Sequence, residues 1–212
     1  MMRILVLGAS QGTGALAVRA GLEQGHQMTA FARSPQKLEL EHPQLRKLTG
    51  DFHQSASVRA AVADHDAVII TASATSFSAL RETPNYFSLG TGYAIEAMKD
   101  LGVKRLAVLS ALGTGPSRSL LNPVLRLVVA DFLLKAPFAD HARQEEQVRA
   151  SGLEWVVARP GRLTDGPARR RYKKTAAIER VPSSISRADV ADFLIEACVA
   201  PTWVGQAVQL GG

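Results

Sequence analysis

Cysteine is nearly absent from this sequence of 212 residues. Cys198 is the only one, so no disulfide can form within the chain, and a reducing cytoplasm is the expected location. The opening run MMRILVLGAS leads into a glycine loop rather than a small-residue cleavage site, which argues against a secretory signal. The longest later apolar run, LLNPVLRLVVADFLL, is interrupted by Pro123, Arg126 and Asp131 and is too broken to span a bilayer. We therefore expect a cytoplasmic protein with no membrane partner.

Histidine is also scarce, and its positions do not suggest a metal. His26, His42, His53 and His65 show neither the spacing of metal ligands nor cysteine neighbours. We expect no metal site.

Positive charge is concentrated in one short segment. The net charge is +6, and the run RRRYKK from Arg169 to Lys174 contains five basic residues, which leaves +1 for the rest of the chain. Such a run can bind nucleic acid, with Tyr172 offering a ring for stacking. A solvated hairpin or loop is the more common outcome, and we expect no nucleic-acid partner.

What the sequence does contain is a regular alternation of short apolar runs and longer amphipathic segments. This alternation predicts βαβ units that feed a parallel sheet. The predicted strands are residues 3–7, 27–32, 45–49, 67–71, 106–109 and 155–158, and the predicted helices are residues 14–24, 57–63, 85–101 and 139–151. We predict one α/β domain over residues 1–212, Rossmann-like and doubly wound, with a mainly parallel sheet and helices on both faces. Within it, residues 160–212 are predicted to form a small substrate-side region.

After residue 160 the alternation lapses into a segment rich in glycine, proline and charge. The pattern SRADVADFLIEACVA then predicts a helix, in which Ser186 and Asp189 resemble a capping box. The last apolar run, QAVQLGG, suggests a terminal edge strand.

Three glycines separate the first predicted strand from the first helix. Gly8 permits a tight turn, Gly12 lets backbone amides approach a pyrophosphate, and Gly14 lets the helix pack closely on the strand. The anion then lies at the positive helix terminus. The predicted cofactor-binding residues of this turn are Gly8, Ser10, Gln11, Gly12, Thr13 and Gly14. The alternative is a glycine-rich loop that binds nothing.

The end of the second strand indicates which dinucleotide is bound. Enzymes that prefer NAD usually have Asp or Glu here, about 20 residues after the glycines, to accept from the ribose 2′-hydroxyl. This chain has Arg33, with Ser34 and Lys37 just beyond. A guanidinium binds a 2′-phosphate through charge-assisted hydrogen bonds, whereas a carboxylate would repel it. NADP, in its reduced form NADPH, is therefore the predicted cofactor, with ordinary solvated surface charges as the alternative.

Motifs along nearly the whole chain resemble those of one family. They are GASQGTG, ARSPQKL, GDF, DAVIITAS, AMKDLGVKRLAVLSA, DHARQEEQVRASGLEWVVARPGRLTD and ISRADVADFL. This set resembles the atypical short-chain dehydrogenase/reductases, in particular the biliverdin-IXβ reductase/flavin reductase group. The breadth of the resemblance is more specific than any one motif.

The resemblance implies cofactor contacts at several strand ends. The implied contacts are Arg33 and Lys37 at the 2′-phosphate, Asp51 and Phe52 beside the adenine, Ala72 and Ser73 after the fourth strand, and Pro160 and Gly161 facing the nicotinamide. The sequence departs from the group in its G-x-x-x-G-x-G spacing, in Val108 where the group has a cysteine, and in Arg162 where flavin reductases have a histidine. These departures leave the substrate open, and Arg162 is predicted to contact it.

The Tyr-x-x-x-Lys pair of conventional short-chain dehydrogenases is missing. Tyr86, Tyr93 and Tyr172 are the only tyrosines, and none has a lysine four residues later. Alcohol or ketone chemistry therefore lacks its usual general acid. A conjugated ring that accepts hydride and takes its proton from water needs no such acid. The expected acceptors are a flavin, a linear tetrapyrrole such as biliverdin, or a quinone.

Two residues are predicted to act beside the nicotinamide. Ser110 ends the fifth strand at the carboxyl edge, where open α/β sheets bind ligands. The matching serine of the resembling enzymes contacts nicotinamide and substrate, which implies an orienting role; a simple turn-forming serine is the alternative. His141 matches a histidine near the family's substrate pocket and could donate a proton, whereas a surface pair with Glu145, one helical turn away, is an equally open interpretation.

Two other functions stay open. A non-catalytic redox sensor resembling the nitrogen-metabolite-repressor-like proteins would bind the dinucleotide and signal through a partner. Sugar-nucleotide epimerase or dehydratase chemistry is disfavoured by the missing tyrosine and by the short C-terminal region. We expect a monomer or weak homodimer that acts on a small molecule.

Overall fold

The computed structural model describes residues 1–72, 84–120 and 135–212. Its strands are β1 (Arg3–Leu7), β2 (Gln27–Ala32), β3 (Leu45–Thr49), β4 (Ala67–Ile70), β5 (Arg105–Leu109), β6 (Glu154–Pro160), β7 (Arg162–Thr164), β8 (Lys173–Thr175), β9 (Ser184–Ser186) and β10 (Gln206–Gly211). Its helices are α1 (Gly12–Glu23), α2 (Ser55–Val62), α3 (Tyr86–Leu101), α4 (Lys135–Ala150) and α5 (Arg187–Val199), with 3-10 turns at Pro35–Lys37 and Gly115–Leu120. None of these helices combines the length and apolar composition needed to cross a membrane. The predicted contact Ser73 and the interrupted apolar run around Pro123 lie outside the described residues.

One large sheet organises the described chain. Its strand order is β3-β2-β1-β4-β5-β6-β10-β8, and every neighbouring pair is parallel except β10 with β8. The chain starts in the middle at β1, proceeds outward to β3, and then crosses back to β4 on the other side of β1. Such a reversal of strand order creates a crevice at the carboxyl ends of the two central strands. The predicted doubly wound α/β fold is confirmed.

Helices cover both faces of this sheet, as predicted. On one face, α1 and α5 contribute Val18 and Phe193 to a buried apolar cluster. On the other, α2, α3 and α4 contribute Val58, Met98 and Val148 to a second cluster. The central strands lie between the two clusters and are therefore apolar at nearly every position, which explains why short unbroken apolar runs predicted them correctly.

The terminal run QAVQLGG forms a strand, but the prediction that it lies at the sheet edge is wrong. β10 lies between β6 and β8, with Val208 opposite Ala158 and Leu210 opposite Lys174. The side chains of Val208 and Leu210 are fully buried. The edge strand at this end of the sheet is β8, which comes from the basic run. A three-residue strand with lysines is a common way to end a sheet, because it resists pairing with another chain.

Ser186 caps the start of α5 as predicted, but the Asp189 carboxylate accepts from the Ser186 hydroxyl at 2.7 Å and not from the Ser186 backbone N–H of a capping box. Ser186 Oγ accepts from the Asp189 backbone N–H at 3.0 Å. The Asp189 carboxylate also accepts from the backbone N–H groups of Arg169 and Arg170 at 2.8 and 2.7 Å. Asp189 therefore joins the start of α5 to the loop before β8. The assignment of residues 160–212 to the substrate side stays a prediction.

Much of the charge in the basic run is paired within the protein. The pairs are Arg170 with Asp192 at 3.6 Å, Lys173 with Glu179 at 3.1 Å, and Lys174 with Glu196 at 2.6 Å. Cations that already have carboxylate partners contribute less to a field that would attract nucleic acid. The absence of a nucleic-acid partner stays a prediction.

Candidate functional site

The carboxyl ends of the parallel strands bring the predicted site residues to one edge of the sheet. Gly8 directly follows β1, Arg33 directly follows β2, and Ser110 directly follows β5. Ala72 lies two residues beyond β4, and Pro160 is the last residue of β6. Open α/β sheets bind ligands outside these ends, so this edge is the candidate site.

A cleft at this edge runs across the ends of β1, β2 and β3. Its lining residues are Gly8, Ser10, Gln11, Phe31, Ala32, Arg33, Ser34, Lys37, Gly50, Asp51, Phe52, Ala72 and Tyr86. The sequence did not assign site roles to Phe31, Ala32, Gly50 or Tyr86. The first two belong to the predicted strand 27–32, and Gly50 belongs to the GDF motif that includes Asp51 and Phe52. Tyr86 lies in no motif, so no sequence pattern connected it with the glycine turn.

The glycine turn presents the start of α1 to this cleft. The backbone N–H groups of Gly8 and Ala9 donate to Phe31 O at 2.9 and 3.2 Å, which fixes the turn against β2. Gln11 is the N-cap of α1, yet its side chain makes no capping hydrogen bond within the described chain, and the first turn contains no acidic residue. The first N–H groups of a helix need an outside acceptor. The turn is therefore suited to an anion.

The glycines at positions 12 and 14 have different physical roles. A Cβ atom on Gly14 would lie 2.3 Å from Gly8 O and 2.5 Å from Thr71 Oγ1, so close packing of α1 on the sheet requires glycine there. A Cβ atom on Gly12 would meet nothing within 4 Å, and its φ of +57° is a conformation that side chains disfavour. Gly12 is not among the residues that line the cleft, and a pyrophosphate in the open space beside it stays a prediction.

The far wall of the cleft is cationic. Arg33 and Lys37 line it, and neither forms an ion pair with any carboxylate in the described ranges. Asp51 is the one acidic side chain among the described residues of the lining. Its Oδ1 atom accepts from the His53 backbone N–H at 2.9 Å, so one of its hydrogen-bond acceptor sites is used within its own turn. The net charge of the lining is positive, which favours a phosphate on the ribose.

Aromatic residues close one side of the cleft. The Phe52 ring lies against Gly90 of α3, where a Cβ atom would come within 2.3 Å of it. His53 packs edge-on against Tyr86 with ring centroids 4.4 Å apart, and His53 Nε2 lies 2.9 Å from Tyr86 O. These contacts hold the GDF segment and the start of α3 together. The resulting wall has the apolar, planar character that suits an adenine ring.

Ser110 belongs to a buried charged network that the sequence did not reveal. Its Oγ atom lies 2.7 Å from Glu145 Oε1, and Arg159 donates to both oxygens of the same carboxylate. Burial alone would raise the pKa of Glu145, but the hydrogen bonds and charge of Arg159, with help from Ser110 and Arg149, outweigh burial and hold that pKa below its ordinary value. Glu145 is therefore ionised. The interpretation of Glu145 as a surface partner of His141 is wrong, because its carboxylate is buried against Ser110 and Arg159.

His141 lies on α4 with its ring stacked on Phe87. The ring centroids are 4.0 Å apart, and Nδ1 lies 2.9 Å from Gln144 Oε1. The Gln144 amide nitrogen donates to Thr91 Oγ1 at 2.8 Å, so its oxygen accepts from His141, and the imidazole proton is on Nδ1. Burial lowers the pKa of His141, which keeps the ring neutral at neutral pH. A proton-donating role for His141 stays a prediction.

Several predicted residues lie outside the lining of the cleft. Thr13 and Gly14 are buried in the first turn of α1, and Gly161 packs against Ser183, where a Cβ atom would come within 2.5 Å of the Ser183 carbonyl oxygen. Arg162 is exposed on β7, and its contact with substrate stays a prediction. Within the described ranges no group of His, Cys, Asp or Glu side chains is arranged to hold a metal ion.

Comparison with known proteins supports a nicotinamide-dinucleotide site. A model of a family described as NAD(P)H-binding matches residues 8–201. The uncharacterized chloroplastic protein At2g37660 of Arabidopsis thaliana is 25% identical over 219 aligned positions, which cover 92% of this chain and 65% of that protein. The chain spans less than two thirds of the length of two of its curated relatives, 65% of this one and 21% of the uncharacterized oxidoreductase C162.03 of Schizosaccharomyces pombe.

Solved structures with the same fold include two described by cofactor or activity. ChuY of Escherichia coli O157:H7, described as an anaerobilin reductase, has a TM-score of 0.80 at 23% identity and covers 99% of this chain and 96% of its own. A short-chain dehydrogenase/reductase of Veillonella parvula, in complex with NADP, has a TM-score of 0.83 at 15% identity and covers 100% and 94%. At these identities the similarity establishes the fold alone.

Proposed function

The chain belongs to the NAD(P)H-binding family, and on that premise we propose that it is an NADPH-dependent reductase that transfers hydride to a conjugated acceptor. When bound, NADPH supplies the hydride. The residues of the chain hold the cofactor and orient the two partners. The proposed acceptors are a flavin, a linear tetrapyrrole or a quinone.

The observation that supports NADPH most strongly is the pairing of two features in one cleft. The uncapped start of α1 offers N–H groups to a pyrophosphate, and Arg33 and Lys37 lie across the same cleft without carboxylate partners in the described ranges. A 2′-phosphate would give these cations their missing anion. Both features concern binding, so they support the cofactor more directly than the acceptor.

A conjugated acceptor is supported by the protonation states of two titratable side chains, His141 and Glu145, neither of which is suited to act as a general acid. The sequence contains no Tyr-x-x-x-Lys pair, and the His141 ring is held neutral by burial. Glu145 is ionised and already occupied by Arg159 and Ser110. An electron-poor ring that takes its proton from water does not need any of these groups to act as a general acid. The name of ChuY as an anaerobilin reductase is compatible with this class of acceptor.

The test is a survey of acceptors. Purified protein and NADPH are mixed in turn with FMN, riboflavin, biliverdin and several quinones, and oxidation is followed by loss of the nicotinamide absorbance. We expect turnover with at least one acceptor and slower turnover when NADH replaces NADPH. If the protein binds NADPH tightly but oxidises it with none of them, a redox sensor that signals through a partner becomes the better interpretation.

A further inference from the structure

The buried contact between Ser110 and Glu145 defines the direction of one hydrogen bond. Ser110 and Glu145 are 5% and 0% exposed, and Arg159, the main partner of Glu145, is 2% exposed. Arg159 Nε donates to Glu145 Oε1 at 2.9 Å, and Arg149, one turn along α4, donates to Oε2 at 2.6 Å. Three donors therefore converge on one carboxylate, and Ser110 is the donor at the end of β5.

An ionised carboxylate can only accept hydrogen bonds. Two guanidinium groups, from Arg159 and Arg149, keep Glu145 in that state. The proton in the 2.7 Å contact between Ser110 Oγ and Glu145 Oε1 must therefore belong to Ser110. The other polar neighbour, Thr114 Oγ1, lies 3.4 Å away and is too distant to compete with a charged acceptor for that single proton.

A serine hydroxyl has one proton and two lone pairs. Once its proton is directed at Glu145, Ser110 can offer only lone pairs to a ligand at the carboxyl edge. It can accept from an N–H or O–H group, but it cannot donate to a carbonyl or a ring nitrogen without breaking the contact with Glu145.

We propose that Glu145 is a positioning residue that fixes Ser110 as a hydrogen-bond acceptor for the N–H₂ group of the nicotinamide carboxamide. This inference rests on the proposed function and on the prediction that the nicotinamide lies beside Ser110, which directly follows β5 at the carboxyl edge of the sheet. It assigns Ser110 an orienting role and excludes it as the donor of the proton that completes the reduction. Arg159 and Arg149 serve by keeping Glu145 ionised.

The first test compares two cofactors that differ only in the carboxamide. In the 3-acetylpyridine analogue of NADPH a methyl ketone replaces the amide, so the carbonyl acceptor is kept and the N–H donor is lost. Dissociation constants are measured by titration for the wild type and for Ser110→Ala. We expect Ser110→Ala to weaken NADPH by about three- to tenfold, the effect of one neutral hydrogen bond, and to leave the analogue unchanged. If Ser110→Ala weakens both cofactors equally, Ser110 is a donor to the carbonyl and the proposal is overturned.

The second test changes Glu145 itself. In Glu145→Gln the amide oxygen takes the place of Oε2, to which both Arg149 and Arg159 donate, so the amide N–H₂ group takes the place of Oε1 and reverses the direction of the hydrogen bond with Ser110. The freed Ser110 proton can then be donated to the carbonyl, which both cofactors carry, so we expect the preference for NADPH over the analogue to fall by up to about three- to tenfold. Glu146→Gln is the matched control, because Glu146 is the next residue of α4, is exposed and should leave the preference unchanged.

The outcomes separate the two proposals. If the wild type binds neither cofactor, the proposed function fails and this inference fails with it. If the wild type binds NADPH but Glu145→Gln folds and keeps the wild-type preference, only the role of Glu145 is overturned. Should Glu145→Gln not fold, the comparison between the wild type and Ser110→Ala still decides whether Ser110 accepts or donates.

Discussion

In the proposed reductase, the protonation state of His141 bears on the source of the proton that the acceptor takes up. Its Nδ1–H group is directed at Gln144, and burial lowers its pKa from the ordinary value of 6.5. The ring is therefore neutral through the neutral range, with only the Nε2 lone pair available. A neutral imidazole accepts a proton but does not donate one readily. Water is the simpler source of the proton for a conjugated acceptor.

This view predicts how turnover responds to pH. We expect kcat with a conjugated acceptor not to fall as the pH rises from about 6.5 to 8. An imidazolium with an ordinary pKa would lose its proton over this range. The measurement is the pH profile of kcat for the wild type and for His141→Gln. A loss of rate over this range in the wild type that is absent from His141→Gln would identify His141 as the acid.

The first turn of α1 contains two glycines, Gly12 and Gly14, with different surroundings. Gly14 lies where any side chain would collide with the backbone of Gly8, whereas Gly12 borders open space. A sequence motif treats both as one signature, but the structure shows a packing role for Gly14 only, and the ligand contact of Gly12 stays a prediction. Substitutions at the two positions should therefore fail in different ways.

We predict that Gly14→Ala lowers the free energy of unfolding by about 1–3 kcal/mol or more, since the new methyl group overlaps fixed backbone. Gly12→Ala should weaken NADPH binding at least about tenfold, since the methyl group enters the pyrophosphate space, at a folding cost of roughly 1–2 kcal/mol for the positive φ. Thermal unfolding and NADPH titration measure the two effects.

Gly102→Ala is the matched control for the Gly12 variant. Gly102 also has a positive φ, of +73°, and open space around its Cβ position, but it lies at the C-terminal end of α3 and not in the cleft. It should lose similar stability and keep NADPH binding. Equal loss of binding in both variants would show that backbone strain, not the pyrophosphate space, explains the Gly12 result.

Three histidines connect the stability of the whole protein to pH. Burial lowers the pKa values of His26, His65 and His141. The unfolded chain therefore takes up protons below about pH 6.5 that the folded protein does not, and stability falls as the pH decreases through that value. The lowered pKa values of Asp66 and Glu145 act in the same direction at lower pH, since their stabilisation is lost as the folded carboxylates become protonated.

We predict a lower urea midpoint at about pH 5.5 than at pH 7.5, with an unchanged slope. Replacing His26 with Gln and His65 with Asn should reduce the difference between the two midpoints. Equal stability at both values, or greater stability at the lower one, would contradict the assigned directions of these pKa shifts.

The fold was predictable from the sequence because its central strands are buried on both faces. Runs such as RILVL and AVII have apolar residues throughout, and the glycine turn follows the first of them directly. The short strands β7, β8 and β9 lack that pattern, since each has three residues and most are polar. β8 pairs with β10, and β7 pairs with β9 in a separate two-stranded sheet, so each partner is distant in the sequence and no local pattern contains the pairing.

The site was only partly predictable, because some of its residues meet only through tertiary packing. Arg33 and Lys37 follow the glycine turn at the spacing where dinucleotide-binding proteins contact the ribose, so their place in the cleft was predicted. Glu145 looks like one of several charges on an amphipathic helix, and its partner Ser110 is 35 residues away in the sequence. Only the packing of α4 beside the ends of β5 and β6 turns that charge into part of the site.

Selection of NADPH by Arg33 is tested by the ratio of dissociation constants for NADH and NADPH. Arg33→Asp removes a charged hydrogen bond and adds repulsion, so we expect NADPH to bind about ten- to a hundredfold more weakly or worse, with NADH little changed. The double variant Arg33→Asp with Lys37→Ala removes compensation by the second cation. Arg19→Asp, an exposed change of equal charge on α1 outside the cleft, should leave the ratio intact. If the wild type binds both cofactors equally, or Arg33→Asp leaves the ratio unchanged, the claim is contradicted.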